Sequence, residues 1–467
     1  MSHILMAAVA TPGHVYPMLT IARHLLTKGH RVTLFSGALF REQAQAAGVG
    51  FIAFDEAIDF DYRYLERHFP KRATLPPGNA QMALALREFF SAPIPLIDRQ
   101  LRAVLAQTEA DVVMAENCFY GILPLLASED RPPVIGIGVT PLSFSSRDSI
   151  FYGPRIPPAL LPPDLTREQL IDDETRELIA GVKEAFDTVM VQSGQQPLTS
   201  PFADALISGC DRFLQLSTTE LEYHRDDLPS CVRFVGPLPL KVTEEDAEQA
   251  LWPPQDTRPL VIVSQGTLAN VDLQQLIGPT LRALAGLPVR VLATTGGRPV
   301  EELAASAPEN ARVCRFVSLE HWLPRAALLI TNGGYGSLNA ALSHGVPLIV
   351  AGTGEDKLET AARVVFAGCG LNLGTSTPGE QQIADAVTRI LEQPGYTQRA
   401  RWVQADCARH NALERSQKRW RQSGKRFTPL ISKTRCLDKP LSFVRWFFFH
   451  LWVRRCVSLL RVGEYSD

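Results

Sequence analysis

The sequence predicts an α/β protein built from two doubly wound parallel sheets. Short apolar runs, typical of buried parallel strands, alternate with helical patterns along most of the chain. The alternation is interrupted between residues 241 and 258 by proline, tryptophan and charged residues without periodicity, which predicts a linker. In each half, a short motif that contains glycine follows an apolar strand, at the edge where doubly wound sheets bind ligands. We therefore expect two domains of similar architecture.

Length and composition agree with a globular protein of two domains and an appendage. The chain has 467 residues, of which 45% are hydrophobic and 21% are charged. The formal net charge is -2, although residues 425–467 carry nine Lys and Arg against three acids. The remainder is mildly acidic, which argues against a nucleic-acid partner. The eight cysteines form no C-x-x-C pair and no metal-ligand spacing, so we expect reduced thiols, no bound metal and a cytoplasmic location.

The first half opens with a β-α-β unit. Residues 3–10 form an apolar run typical of a buried strand, residues 18–28 repeat apolar residues at helical spacing, and residues 31–35 are the next strand. We predict a loop at residues 11–17, with His14 at the carboxyl end of the first strand. A lone loop histidine is more often solvated or locally hydrogen-bonded, so the role of His14 depends on its context.

The rest of the first half continues the alternation of strands and helices. Further strands are predicted at 51–54, 111–116, 133–139, 212–217 and 232–236, and helices at 39–47, 81–107, with a break near Pro93 and Pro95, and 167–191. Residues 55–79 and 140–165 lack periodicity and contain many aromatic and proline residues. Residues 55–79 are expected either to wall a ligand site or to be a plain surface loop, and residues 140–165, together with 167–191, to cover that site as a lid.

The second half repeats the pattern around a glycine-rich turn. Strands are predicted at 259–264, 289–294, 313–317, 327–330, 346–350 and 370–373, and helices at 273–285, 337–343, 355–367, 381–391 and 398–421. Gly333, Gly334 and Gly336 lie between a strand and a helix N-terminus, where free N–H groups favour an anion such as phosphate. Taken alone, this pattern is equally compatible with tight packing between strand and helix.

Two motifs together resemble the family 1 glycosyltransferases of the GT-B fold, in particular bacterial UDP-glycosyltransferases of the macrolide and flavonoid type. The first motif is G-H-V-Y-P-M-L-T from residue 13, and the second is T-N-G-G-Y-G-S from residue 331, followed by H-G-V-P and E-D-K. The resemblance covers about residues 3–424 and implies two Rossmann-like domains that face each other across a cleft. We predict these domains at 1–240 and 259–424, a linker at 241–258 and a C-terminal extension at 425–467. In this fold the last helix commonly crosses back to the first domain.

The resemblance implies an inverting, metal-independent enzyme of secondary metabolism. It would move a sugar from a UDP- or dTDP-sugar to a hydroxyl of a small, largely apolar acceptor, with no cofactor besides this co-substrate. His14 matches the general base of the family, a role that suits imidazole near neutral pH. Glu116, at the end of a predicted strand, matches the acid that orients the base, although an exposed strand-end acid is an equal alternative.

The resemblance also implies a donor site in the second half. Residues implied near the diphosphate are Gly266, Thr267, Asn332, Gly333, Gly334 and Ser337, those at the nucleobase are Phe316 and Val317, and those at the sugar are Asp356 and Lys357. Two positions depart from the family pattern. Asn332 stands where a histidine would supply charge, and Ala340 where a glutamate would hold the ribose hydroxyls. The second departure weakens the case for UDP and makes a deoxyribose donor such as a dTDP-sugar a serious alternative, unless Asn339 compensates.

Two other functions remain open from the sequence. One is a nucleotide-sugar epimerase on the same fold, and the other is a non-catalytic partner of a transferase, although such a partner has no use for a base at His14. Residues 441–462 are basic and aromatic, with apolar runs too short to span a membrane. They are equally compatible with a membrane-surface helix, a contact with the body or a partner, and an extension without function.

Overall fold

The structure is a computed structural model that describes residues 1–75, 78–145, 169, 171–239, 251–253, 255–267 and 270–418. Most of the loop predicted at 140–165, part of the linker and the C-terminal extension lie outside these residues, as do the predictions made for residues 441–462. Among the described residues, no helix is both long and apolar enough to cross a membrane.

The first half of the chain forms one parallel sheet. Its strands are β1 His3–Ala7, β2 Arg31–Ser36, β3 Gly50–Ala53, β4 Val112–Glu116, β5 Val134–Gly138, β6 Arg212–Gln215 and β7 Val232–Phe234. The seven strands lie in the order β3-β2-β1-β4-β5-β6-β7. The strand order reverses between β1 and β4, so the carboxyl ends of these two strands border the crevice where such sheets bind ligands.

The second half forms a second parallel sheet with the same central order. Its strands are β8 Leu260–Ser264, β9 Arg290–Thr294, β10 Ala311–Cys314, β11 Ala326–Thr331, β12 Leu348–Val350 and β13 Gly370–Asn372. The six strands lie in the order β10-β9-β8-β11-β12-β13. Here the reversal falls between β8 and β11. The Gly266 turn and the Gly333 turn follow these two strands and therefore emerge side by side.

Helices cover both sheets. Those of the first half are α1 Pro12–Thr27, α2 Arg41–Ala46, α3 Leu65–His68, α4 Asn79–Leu84, α5 Ile94–Thr108, α6 Leu123–Leu126, α7 Asp173–Gln192 and α8 Phe202–Gly209. Those of the second half are α9 Ile277–Ala283, α10 Glu301–Ala305, α11 Leu319–Trp322, α12 Tyr335–Ser343, α13 Lys357–Phe366, α14 Glu380–Glu392, α15 Pro394–Ala408 and α16 Ala412–Lys418. A π-helical segment, Ala85–Ser91, joins α4 to the turn before α5.

The first helix begins earlier than the sequence pattern predicts. The loop predicted at residues 11–17 is wrong, because α1 already begins at Pro12. Proline is favourable at the first helical position, where its missing N–H would have had no partner. Backbone bonds from His14 N and Val15 N to Thr11 O close the first turn. His14 therefore lies on a rigid helical turn.

Other segments also differ from the sequence predictions; the helix predicted at 398–421, for example, is the two helices α15 and α16. Residues 55–79 contain short helical turns, among them α3, and Phe60 and Phe69 of this segment pack against Phe89. Strand β10 ends at Cys314, so Phe316 and Val317 lie on the following loop. Helix α12 begins at Tyr335, two residues before the predicted start, and Gly334 is its N-cap.

The last described helix returns to the first half. Ala412 of α16 is buried in the core of the first sheet, and the Nζ atom of Lys28 lies 2.9 Å from Glu414 Oε1. The resemblance implied this crossing, and it ties the end of the second half to α1, the helix that carries His14.

A buried ion pair also joins the two halves. The Arg363 side chain, on α13, is fully buried, and its Nε donates to the two carboxylate oxygens of Glu222 at 2.9 and 3.0 Å. Its Nη2 donates to Leu142 O at 3.2 Å. Because Leu142 follows β5 and Glu222 follows β6, one guanidinium holds α13 against two loops of the first sheet.

Candidate active site

His14 and Glu116 meet at the carboxyl edge of the first sheet. Ala7 of β1 pairs with Ala115 of β4, so the residues that follow these strands emerge next to each other. The His14 Nδ1 atom lies 2.8 Å from Glu116 Oε2. The structure therefore brings together the two residues that the sequence assigned to the catalytic pair, although they are far apart in the chain.

The Glu116 carboxylate is fully buried and held by the backbone. Its Oε1 accepts from Val9 N at 3.1 Å, and its Oε2 accepts from Cys118 N at 2.7 Å. Since an ionised carboxylate only accepts hydrogen bonds, His14 donates its Nδ1–H to Glu116. The Nε2 atom of the neutral imidazole is then left as the acceptor, which is the state a general base requires.

The surroundings of His14 favour its protonated form. Burial is the largest single influence on the pKa of His14 and lowers it, because burial disfavours the imidazolium. The charge and hydrogen bond of Glu116, with the charges of Asp356 and Glu355, act in the opposite direction and prevail. The pKa of His14 therefore lies above its ordinary value of 6.5. An imidazolium formed during a reaction is stabilised at this place.

A cavity of about 230 Å³ opens onto His14. Its walls are mostly apolar and come from Val9, Phe69, Met82, Leu84, Ala85, Leu86, Phe89, Phe90, Cys118 and Tyr120. Its polar lining includes His14, Asn117 and Thr140 from the first half and Glu355 and Asp356 from the second. A larger cavity of about 420 Å³ shares part of this wall but does not reach His14, so we assign the smaller cavity to the site.

The acidic end of this cavity is built by the turn before α13. Asp356 is the N-cap residue of α13, but its side chain makes no capping hydrogen bond. Burial is the main cause that raises the pKa of Asp356, with a further contribution from the charge of Glu355. The Lys357 Nζ atom lies 2.5 Å from Glu355 Oε2, and its side chain is largely buried. The ammonium predicted to reach the sugar is thus already paired with a carboxylate.

The two turns predicted to hold the diphosphate contact each other. Gly266 has a φ of 73°, and the Nδ2 atom of Asn332 donates to Gln265 O at 2.5 Å. Asn332 is buried and forms this clamp between the turns. Gly333 has a φ of 98°, and a Cβ atom there would lie 3.0 Å from Val350 Cγ1. Only glycine combines this positive φ with so close an approach to Val350 without strain.

The remaining predicted donor residues lie at the start of α12, beside the Gly266 turn and on the loop after β10. The Ser337 hydroxyl donates to Gly334 O at 2.9 Å, which closes the first turn of α12. Thr267 is exposed beside the Gly266 turn. The Phe316 side chain is 67% exposed, an unusual state for a large aromatic ring, while Val317 packs against the core of the second half. The exposed ring can stack with a planar group such as a nucleobase.

Ala340 and Asn339 do not offer a hold for ribose. Ala340 is buried in the core of the second half. The Asn339 Nδ2 donates to Tyr335 O at 3.0 Å, and its Oδ1 accepts from Ser217 Oγ at 2.9 Å. Because Asn339 is buried and each end of its amide is bonded within the protein, the structure argues against the suggestion that it replaces the family's glutamate.

One group of described side chains has the composition of a metal site. The ligand atoms of His14, Glu116 and Cys118 all lie within 4.8 Å of one another. Burial, the main cause, raises the pKa of the Cys118 thiol well above its usual range, so this group is uncharged near neutral pH. The facing atoms of His14 and Glu116 are satisfied by their own hydrogen bond. We interpret the group as a catalytic pair, and the absence of a metal stays a prediction.

Comparison with known proteins decides the family. Residues 280–413 match the family model of the Erythromycin biosynthesis protein CIII-like, C-terminal domain. The chain is 33% identical over 429 residues to UDP-glycosyltransferase 2 of Phaeomoniella chlamydospora, which covers 88% of this chain and 93% of that protein. The chain is a family 1 glycosyltransferase of the GT-B fold.

Further relatives agree with this assignment of the glycosyltransferase. It is 33% identical over 414 residues to 4'-demethylrebeccamycin synthase of Lentzea aerocolonigenes, covering 88% of this chain and 97% of that protein. Its fold matches the crystal structure of the glycotransferase of kitacinnamycin with a TM-score of 0.67 and 23% identity, covering 90% and 98% of the two chains. The predicted family, fold class and enzyme class are confirmed. These relatives support sugar transfer and not the epimerase alternative.

Proposed function

We propose that this glycosyltransferase moves a sugar from a UDP- or dTDP-sugar to a hydroxyl of a small, largely apolar acceptor of secondary metabolism, with inversion and without a metal ion. The observation that carries the proposal is the His14–Glu116 pair, which opens onto an apolar cavity bordered by Asp356. A base, an apolar acceptor space and a carboxylate suited to sugar hydroxyls are together the parts that this reaction needs.

In the proposed reaction, the acceptor hydroxyl lies in the cavity and gives its proton to Nε2 of His14. The acceptor oxygen forms a bond to the anomeric carbon while the bond from that carbon to the phosphate oxygen breaks. The nucleoside diphosphate leaves with the electron pair of this bond. Glu116 stabilises the imidazolium through Nδ1–H, and the net transfer leaves one proton to be returned to solvent. Attack opposite the leaving group inverts the anomeric centre.

The donor would be held by the second half. We propose that Gly266, Thr267, Asn332, Gly333, Gly334 and Ser337 surround the diphosphate, where backbone N–H groups at the start of α12 favour negative charge. Phe316 would stack with the base beside Val317, and Asp356 would accept hydrogen bonds from sugar hydroxyls. Lys357 would act chiefly by fixing Glu355. No cofactor beyond the nucleotide sugar is proposed.

The proposed nucleotide of the donor is either UDP or dTDP. Neither Ala340 nor Asn339 offers a partner for ribose hydroxyls, which favours a deoxyribose donor. A relative that carries the name UDP-glycosyltransferase keeps UDP in the proposal. A cytoplasmic location, and a membrane or partner contact through residues 441–462, also remain proposals.

Calorimetry with the purified chain tests the proposal, using UDP, dTDP and GDP and then glucose donors of the nucleotide that binds. We expect one nucleotide class to bind, and the His14→Ala variant to bind it equally well. A panel of small phenols as acceptors should release nucleoside diphosphate with the wild type but not with His14→Ala. No binding of any nucleotide at millimolar concentration would contradict the proposal.

A further inference from the structure

The proposed diphosphate site lacks an available positive charge among its assigned residues. Asn332 is neutral, and the ammonium of Lys357 lies 2.5 Å from Glu355 Oε2. A departing nucleoside diphosphate gains negative charge, which cationic groups stabilise more than neutral donors do. A cation from elsewhere in the fold is therefore expected, and this inference rests on the proposed donor site.

Arg298 lies on the loop next to the Gly266 turn. Ser264 of β8 pairs with Thr294 of β9, so the loops that follow these strands emerge side by side. Asn270 joins the two loops, because its Nδ2 donates to Gly266 O and to Thr295 O, each at 2.9 Å. The Arg298 Nε in turn donates to Asn270 Oδ1 at 3.2 Å.

The loop that carries Arg298 packs closely between the Gly266 turn, proposed to bind the diphosphate, and Phe316, proposed to bind the nucleobase. A Cβ atom on Gly296 would lie 2.2 Å from Gly266 O, and one on Gly297 would lie 2.8 Å from the ring of Phe316. Both glycines also have positive φ angles. The backbone thus approaches the Gly266 turn on one side and the exposed ring on the other, immediately before Arg298.

Arg298 has no acidic partner in the part of the chain that the structure describes. Its one side-chain hydrogen bond there goes to the neutral amide of Asn270, and the residue is half-buried. Half-burial removes part of the water around a guanidinium. Without a carboxylate beside it, a bound anion would compensate for this lost hydration. The geometry points to Arg298 as a donor-binding residue that supplies the diphosphate with the positive charge absent at Asn332.

Arg298→Gln tests this assignment, because glutamine can still donate a hydrogen bond to Asn270 but carries no charge. Binding of the nucleoside, its monophosphate and its diphosphate is measured by calorimetry at two ionic strengths. We expect diphosphate affinity to fall by roughly 10- to 100-fold, whereas nucleoside affinity changes less than about twofold. The salt dependence of diphosphate binding should also weaken. Arg298→Lys, which keeps the charge, should recover part of the affinity.

Arg315→Gln is the matched control. Arg315 adjoins Phe316, but its Nη2 is paired with Glu301 at 3.2 Å, so this variant should bind the diphosphate like the wild type. Equal weakening of nucleoside and diphosphate by Arg298→Gln would overturn the inference and indicate a structural role, and so would unchanged diphosphate affinity. If the wild type binds no nucleotide, the proposed function itself fails. This outcome is distinct from failure of the inference about Arg298, which requires that the wild type binds the diphosphate.

Discussion

Replacement of Glu116 by glutamine removes the charge beside His14 and keeps the shape of the side chain. Glu116 Oε2 lies 2.8 Å from His14 Nδ1 in a buried site. With about 4 Å between the charge centres and an effective dielectric constant of about 20, the carboxylate stabilises an imidazolium by ~4 kcal/mol. The glutamine oxygen can still accept from Nδ1–H, so we expect kcat to fall by roughly 10²- to 10³-fold.

The pH dependence of kcat/KM gives a second readout of Glu116→Gln. In the proposed reaction the base is neutral His14, so the wild-type rate should rise as pH increases through the pKa of His14, which lies above 6.5. Burial lowers the pKa of His14 and the Glu116 charge raises it, so loss of that charge lets the pKa of His14 fall. The acidic limb of the profile should therefore move to lower pH, although the maximal rate is reduced.

The assay measures release of nucleoside diphosphate with a saturating phenol acceptor across the pH range. Glu88→Gln is the matched control, because Glu88 lines the same cavity but pairs with Lys71, at 3.5 Å. It should leave both the rate and the acidic limb nearly unchanged. The reasoning is refuted if Glu116→Gln keeps kcat within about threefold of the wild type, or if the acidic limb does not move.

Three further changes test other parts of the structure. Arg363→Met removes the two Nε hydrogen bonds to buried Glu222, which keeps the more distant Arg225 Nη2 at 3.5 Å, and should lower the free energy of unfolding by about 2–4 kcal/mol in urea titrations; a loss below ~1 kcal/mol would contradict this. Phe316→Ala should weaken nucleotide binding by about 1–3 kcal/mol in calorimetry without changing Tm, and unchanged affinity would exclude stacking. Gly333→Ala should destabilise by about 1–3 kcal/mol in urea, whereas Gly336→Ala, which meets no neighbour, should be tolerated.

The strands were predictable because buried parallel strands leave a short-range signature. Every predicted strand overlaps a strand of the structure, since apolar runs bounded by turns report burial directly. The start of α1 was missed because Pro12 and Pro17 suggested a loop, whereas Pro12 takes the first helical position, which tolerates proline, and Pro17 lies inside the helix. Such boundaries depend on capping geometry that the apolar pattern does not encode.

The candidate site was only partly predictable. His14, of the proposed catalytic pair, and the glycine turns carry local motifs, and Glu116 ends a predicted strand, so the sequence pointed to them. The pairing of Lys357 with Glu355 depends on the directions of their side chains. The hydrogen bond between Asn339 and Ser217 depends on a contact between the two halves. Arg298 carries no motif, since its relation to Gly266 arises from the pairing of β8 with β9 and the bridge through Asn270. A long-range contact of this kind leaves no periodic signal.

The most direct measurement of the central claim is the configuration of the sugar in the product. An α-linked glucose donor of the nucleotide that binds is incubated with a phenol acceptor, and the anomeric proton of the glucoside is examined by NMR spectroscopy. Direct attack by an acceptor that His14 has deprotonated predicts a β-glucoside from the wild type and none from His14→Ala. An α-glucoside, or equal yields from the two proteins, would contradict the account.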